Sequence, residues 1–422
     1  MFKLGIFCYS TPGHLNPTLS LARRLEECGY AVTFLQPPHA GERVRRAGFR
    51  FCAVGGDDSS ETMQRMDEKL RGLTGLSAMR LLARRTVYEA AVFFRHAPGA
   101  VKRLDLDGLL VDHALSYGDT IAAHVGLPFV TLYCDLPLNY AIDIPLICFG
   151  YGRPTGLLKR VRDRAALTVL DRLWRPLASL LVKQRRLWGL DDIKGELAQV
   201  SQCPEFFDFP NPTLPPNFHY TGPFFDRGMF APVSFPWERL DGRPLAYASL
   251  GTMVNRHDQI FQQVAAACGG LGLQVVISTG GARLRSNPTL DGGAIVVPFA
   301  PQYDLLERAS VVITHAGLNT VLDCLTHGVP CVAVPLAMEQ PGIAARLERL
   351  GVAQVVSPRR LSAKGLREAV SEVMTHAQYR LAAAGVKQRL GELDGLKLAA
   401  EIIDRCFSSQ RAVETDVGGT AA

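Results

Sequence analysis

The chain has 422 residues, 47% of them hydrophobic and 20% charged, with ten cysteines and a formal net charge of +6. That length gives about two domains whose cores need no disulfide or metal staple. No apolar run approaches the roughly 20 residues of a membrane span, and no C-x-x-C pair occurs, so the cysteines read as buried thiols in a reducing cytoplasm. No basic run is interleaved with aromatics, which removes nucleic acid as an expected partner; the mild positive balance suits anionic nucleotides or a membrane surface.

From the N-terminus, residues 4–9 form an apolar run of strand type, too short for the core of a signal peptide. Residues 17–29 read as a helix with Leu19, Leu21, Ala22 and Leu25 on one face and Gly29 at its end. Strand patterns follow at 31–35, 51–54 and 108–111, then a helix over 117–126 and a strand at 128–133. This alternation is that of a parallel α/β sheet. Residues 135–149 are apolar and loop-like, suited equally to the wall of a lipophilic pocket or to core packing. Residues 157–188 set Lys159, Arg160, Arg164 and Arg172 among leucines and Trp174. Such a stretch is either a solvated helix face or a peripheral contact with an anionic membrane.

Residues 226–243 are rich in Pro, Gly and aromatics without periodicity, as a linker is. The pattern then restarts, with a strand at 244–250, a helix over 258–269 and strands at 274–278, 294–297 and 311–314. A helix over 318–328, a strand at 331–334 and helices over 341–350, 362–375 and 378–406 complete it, the last one broken. The expected organisation is a Rossmann-like domain at 1–225, a linker at 226–243, a second Rossmann-like domain at 244–407 and a disordered tail at 408–422. Two such halves leave a cleft between the carboxyl ends of two parallel sheets, where open α/β sheets bind ligands.

Three features stand at those strand ends. His14 lies in Thr11-Pro12-Gly13-His14-Leu15-Asn16-Pro17, after the first strand, and imidazole is the natural base near neutral pH. Asp112 ends the fourth strand, placed to orient that imidazole; both could instead serve as turn or helix caps. His113 is expected to point away. The run Val311-Val312-Ile313-Thr314-His315-Ala316-Gly317 leads into a helix at Leu318-Asn319-Thr320. The unpaired N–H groups of that helix start, its dipole, and the His315 and Thr320 side chains suit a diphosphate.

The pattern F-x-P-Q…T-H-x-G-x-N-T-x-x-D…G-V-P…P…E-Q over residues 299–340 resembles the donor-binding segment of nucleotide-sugar glycosyltransferases. These are the inverting, metal-independent enzymes of the GT-B fold, two Rossmann-like domains facing each other across a cleft. The runs Gln202-Cys203-Pro204 and Tyr220-Thr221-Gly222-Pro223 resemble the bacterial macrolide and carotenoid branch of that family. The resemblance implies His14 as catalytic base oriented by Asp112. It implies a UDP-sugar co-substrate held by Phe299 stacked on uracil, Gln302 near the ribose, and Asp323 on the ribose hydroxyls. Gly251 and Thr252 would form a second phosphate loop, with His315, Gly317, Asn319 and Thr320 at the diphosphate and Glu339 and Gln340 on the sugar. Phe299 departs from the family's usual tryptophan, and Asp323 from its longer glutamate; a carboxylate there favours UDP over dTDP. No metal and no further cofactor is implied.

The function expected is transfer of a hexose, glucose first, from a UDP-sugar to a hydroxyl of a lipophilic small molecule by a cytoplasmic enzyme. Two rivals remain at this stage: a UDP-sugar epimerase on the same fold, and an inactive auxiliary partner of a transferase. The G-H-x-x-P loop and the apolar segment 136–149 speak against the first, and retention of His14 and Asp112 against the second.

Overall fold

The computed structural model describes residues 1–137, 146–149, 156–229, 232–253, 258–282 and 293–415. Residues 138–145 of the expected pocket segment lie outside them. The first sheet contains β1 (Lys3–Phe7), β2 (Ala31–Gln36), β3 (Arg50–Ala53), β4 (Gly108–Asp112), β5 (Phe129–Tyr133), β6 (Glu196–Ser201) and β7 (Phe218–Tyr220). The second contains β8 (Leu245–Ser249), β9 (Gln274–Ser278), β10 (Ile295–Val297), β11 (Ala309–Thr314), β12 (Cys331–Ala333) and β13 (Ala353–Val355). Every pairing is parallel. The orders are β3-β2-β1-β4-β5-β6-β7 and β10-β9-β8-β11-β12-β13. In each sheet the order reverses beside its first strand, between β1 and β4 and between β8 and β11. Those reversals are where the crevices of doubly wound sheets open.

The central strands are buried on both faces, as parallel sheets covered by helices are; all five residues of β4 and of β8 are buried. The helices are α1 (Pro12–Glu27), α2 (Gly41–Arg46), α3 (Asp57–Leu70), α4 (Gly75–Leu104), α5 (Gly118–Val125) and α6 (Leu157–Leu187) on the first sheet. The rest are α7 (Asp258–Gly269), α8 (Gln302–Leu306), α9 (Leu318–His327), α10 (Gln340–Arg349), α11 (Ala363–Thr375), α12 (Ala377–Gly391) and α13 (Gly395–Ser409).

Three boundaries differ from the sequence reading. Helix α1 begins at Pro12 rather than residue 17, because proline at the first turn presets φ and gives up only an N–H that has no partner there. Pro17 sits inside the helix, and without its N–H the Gly13 carbonyl is released from the i→i−4 ladder. Helix α13 was expected with the second domain, but Ala399, Ile402, Ile403 and Phe407 pack with Leu4, Ile6, Leu21 and Leu25 of the first. Residues 408–415 of the expected disordered tail are ordered, the Val413 amide donating to the Leu197 carbonyl at 3.1 Å and that of Thr415 to Pro216 at 2.7 Å, and 416–422 lie outside the described residues.

Helix α6 packs on α4 and leaves Leu157, Leu158 and Leu187 exposed. Among the described residues no helix is long and apolar enough to cross a membrane.

Candidate functional site

His14 lies in the first turn of α1 and Asp112 at the end of β4, on the two sides of the first sheet's reversal. Their side chains meet: His14 Nδ1 is 2.8 Å from Asp112 Oδ2. Asp112 is fixed by two backbone donors, Tyr9 N to Oδ2 at 3.1 Å and Ala114 N to Oδ1 at 3.1 Å. The Tyr9 ring closes on the imidazole edge-on at 5.4 Å. Nδ1 therefore faces the carboxylate, and Nε2 faces the cleft. Burial works against the charged imidazole, but the Asp112 charge and hydrogen bond, then Asp135 and Glu339, outweigh it and raise the His14 pKa to about 9. Asp112 is pulled below its ordinary value by His14, against its own burial.

His113 does not point away. Its Nε2 is 3.0 Å from Asp135 Oδ1, and its ring stacks on Tyr133 at 4.4 Å. Asp135 in turn stands 3.9 Å from His14 Nε2. Both residues belong to the site and the sequence reading passed over them. The signal was available, since Asp135 closely follows the end of β5 as Asp112 ends β4.

On the second sheet, the loops after β8 and β11 meet at its reversal. His315 fits between Gly251 and Gly317: a Cβ on either glycine would come 2.5 Å from His315 Nε2. Gly251 has φ +71, and Ala316 takes φ +65, which a non-glycine residue adopts only where surrounding structure enforces it. Helix α9 starts at the N-cap Gly317 with no side-chain cap, so its first N–H groups are open to an anion. Burial holds the His315 pKa down at about 4, so its imidazole is a neutral donor, and its Nδ1 has no hydrogen-bond partner. Thr320 is half-buried in the first turn of α9, and Thr252 half-buried just after Gly251.

Phe299 is 53% exposed, its ring lying against Gly281, where a Cβ would come 3.0 Å from it. Gln302 Nε2 donates to Asp323 Oδ2 at 2.6 Å, and Tyr247 Oη to Gln302 Oε1 at 3.2 Å. Burial raises the Asp323 pKa to about 7, with the Gln302 hydrogen bond opposing.

The remaining expected donor residues face the other domain or their own loop. Asn319 donates from Nδ2 to the Gly13 carbonyl at 2.6 Å, the carbonyl that Pro17 leaves free, and accepts from Gln202 Nε2 at 2.9 Å. It ties the donor helix to the turn that carries His14. Gln340 is buried, its Oε1 accepting from the amides of Leu336 and Ala337 at 2.8 and 3.0 Å. Glu339 stands at the start of α10, close enough to Asp135, His14 and His113 for their charges to act on it; burial and then Asp135 raise its pKa to about 7.

Comparison with known proteins agrees with this architecture. The family model described as "UDP-glucoronosyl and UDP-glucosyl transferase" matches residues 162–386, more than half of the chain. The zeaxanthin glucosyltransferase of Pseudescherichia vulneris is 28% identical over 410 residues, covering 93% of this chain and 95% of that protein. The 4'-demethylrebeccamycin synthase of Lentzea aerocolonigenes is 25% identical over 413 residues, covering 94% and 97%. Among solved structures, CalG4, the calicheamicin glycosyltransferase, superposes with a TM-score of 0.72 at 21% identity, over 97% of this chain and 99% of its own. The two facing parallel sheets are the GT-B fold.

Proposed function

This chain belongs to the UDP-glucoronosyl and UDP-glucosyl transferase family and is a glycosyltransferase; on that premise we propose that it is an inverting, metal-independent O-glycosyltransferase. It moves a hexose, with glucose the first candidate, from a UDP-sugar to a hydroxyl of a lipophilic small molecule. The observation that carries this reading is the His14–Asp112 pair at 2.8 Å, tied through Gly13 and Asn319 to the His315–Gly317 cradle. Similarity to zeaxanthin glucosyltransferases makes hydroxylated carotenoids the first acceptors to test. The site is proposed to work in the cytoplasm, where UDP-sugars are made available to it.

In this mechanism the acceptor O–H bond breaks as its proton passes to His14 Nε2. The oxygen attacks the anomeric carbon opposite the diphosphate, and the C–O bond to UDP breaks with its electron pair leaving on UDP. Asp112 keeps Nδ1 protonated and stabilises the imidazolium. The charge that grows on the diphosphate meets the N–H groups of α9, the Gly251 loop and neutral His315. Such donors do the work that a divalent cation does elsewhere. His14, Asp112 and Cys134 bring three potential ligand atoms within 4.8 Å, but Asp112 already accepts bonds from His14, Tyr9 and Ala114. Saturating EDTA is therefore expected to leave the rate unchanged in a coupled assay of UDP release. A strict need for magnesium or manganese would refute the metal-free site. Product analysis with and without acceptor tests the function itself: glycosylated acceptor is expected, whereas an isomerised sugar nucleotide formed without acceptor would mark an epimerase.

Asp323 gives the donor reading its own test. Ribose hydroxyls donating to this carboxylate favour its ionised form, so its pKa of about 7 falls when the donor binds. Between pH 6 and 7 the binding of UDP-glucose, whose diphosphate does not titrate there, should release protons. Calorimetry in buffers of different ionisation enthalpy reads that release. Asp323→Ala should reduce that release, leaving only the part that Glu339, with its own pKa of about 7, contributes, and weaken UDP-glucose binding by roughly 10- to 100-fold, as loss of hydrogen bonds to a charged group does. The dTDP-sugar should lose less. Equal losses for both nucleotides would remove the case for UDP.

A further inference from the structure

The side of His14 that faces the cleft is not bare. Asp135 Oδ2 stands 3.9 Å from His14 Nε2, on the side opposite the Asp112 contact at Nδ1. Behind it, Asp135 Oδ1 lies 3.0 Å from His113 Nε2, an ion-pair distance without hydrogen-bond alignment, and His113 stacks flat on Tyr133, 4.4 Å between centroids at 16°. Two residues, His113 and Tyr133, thus stand behind the one carboxylate that faces the imidazole. The 3.9 Å gap is too long for a hydrogen bond, but an oxygen about 2.8 Å from each atom fits between them. That is the position in which an acceptor hydroxyl, or a water that follows it, would stand.

We infer that Asp135 is a second carboxylate of the base: His14 works between two anions, Asp112 on Nδ1 and Asp135 facing Nε2, and the proton taken from the acceptor leaves the site by way of Asp135. The inference rests on His14 being the base. The balance is simple. As the glycosidic C–O bond forms, the acceptor O–H bond breaks and Nε2–H forms, leaving an imidazolium flanked by two carboxylates. After the product departs, Nε2–H breaks and its proton passes through one bridging water to Asp135, the water giving up one of its own protons to the carboxylate as it takes that of Nε2. The Asp135 side chain retains 17% exposure and hands the proton to solvent. Without that second anion the imidazolium loses the carboxylate that stands directly in front of Nε2, leaving Asp112 on Nδ1 and the charge of Glu339 from α10.

Among the described residues, the charged and titratable groups around the ring are these. Asp112 faces it from β4, Tyr9 from the end of β1, and Asp135 with Cys134 from the turn after β5. Glu339 faces it from the start of α10, and His113 from behind Asp135. Asp135 and Glu339 act in the same sense as Asp112 on His14, which agrees with its raised pKa.

The experiment is a titration of the His14 imidazole in the full-length, isotopically labelled protein by nitrogen–proton NMR, in wild type and in Asp135→Asn. It needs no acceptor. Removing a charge at this distance should lower the His14 pKa by roughly one to three units. The acid limb of kcat/KM on a working acceptor should move down by the same amount, and Asp135→Glu should move both back. Asp135→Ser serves as a second variant of the same sign should the asparagine fold poorly. An imidazole that titrates within a few tenths of wild type in both variants overturns the inference. So does a rate lowered equally at every pH with its acid limb unmoved, the mark of a structural residue. Failure of the base reading would show instead as full turnover by His14→Ala, whatever the titration gives.

Discussion

Replacing His14 with alanine is expected to lower transfer by about 10²- to 10⁴-fold while leaving UDP-sugar affinity within a few-fold of wild type. The two halves of that expectation have separate origins. His14 belongs to the first domain, where Asp112 and two backbone amides fix the geometry of its Nδ1 side. The proposed phosphate and ribose contacts, His315, Gly317 and Asp323, lie on the second sheet and its helix. Removing the imidazole takes away the proton acceptor without touching that cradle. The pH profile sharpens the test. A base must be neutral to accept a proton, and the free-enzyme pKa is raised to about 9, so kcat/KM should climb with pH through neutrality and level off only near that value. The alanine variant should lose the climb. Asp112→Asn keeps the ring but loses its orientation and charge, so a smaller loss is expected, with the acid limb moved to lower pH. Wild-type turnover by His14→Ala on the true acceptor would refute the mechanism.

The parts of the fold that were legible are those with strong local patterns. β4, β8 and β11 are continuous apolar runs because both faces are covered, and the turns after them carry glycine, histidine or aspartate in plain view. What stayed hidden was hidden for local reasons. Helices α3 and α4 were missed because α4 buries Arg85 and Glu89, paired at 2.7 Å, along with Thr86 on its inner face, which blurs the apolar stripe. β6 and the edge strand β7 close one side of the sheet and carry Glu196, Gln199 and His219. For α13 the periodicity announces a helix, but nothing local says which of two sheets it will cover. The site divides the same way. His14 and Asp112 were found because ends of neighbouring parallel strands must converge. Asp135 obeys the same rule, yet it opens an apolar segment that reads equally as pocket wall or core. That Asn319 would reach Gly13 was not legible at all, since the contact exists only once two domains have docked and Pro17 has freed the carbonyl.

That docking has its own pin, and breaking it is the second large effect to expect. Arg346, on α10, is buried and points across to the first domain, where Nε and Nη2 donate to Asp208 Oδ1 at 2.8 and 2.5 Å; Nη1 donates to the Gly342 carbonyl at 2.9 Å. Asp208 is buried as well and receives the Tyr220 hydroxyl on Oδ2 at 2.8 Å. One turn further on, Arg349 donates to the carbonyls of Phe206, Phe207 and Asp208. Arg346→Ala leaves a buried carboxylate with only two neutral donors, the Tyr220 hydroxyl and the Phe209 amide, and losing one partner of such a pair costs about 3–5 kcal/mol. Asp208 and Tyr220 lie between β6 and the end of β7, so the damage falls on the contact between domains rather than on either core. Urea unfolding should therefore change from a joint transition to an early loss of domain contact followed by separate unfolding of the two sheets. Arg346→Met with Asp208→Asn removes both charges together and should recover most of the stability, because no ion is then left buried alone. Activity should follow the domain contact. Helix α10 begins at Gln340, two turns before Arg346, and the residue just ahead of it is Glu339, whose charge reaches His14 and Asp135 across the cleft. A single-charge variant that unfolds as wild type would show that the pair does not hold the domains together. One that unfolds early yet transfers sugar at the full rate would show that the catalytic geometry does not depend on it.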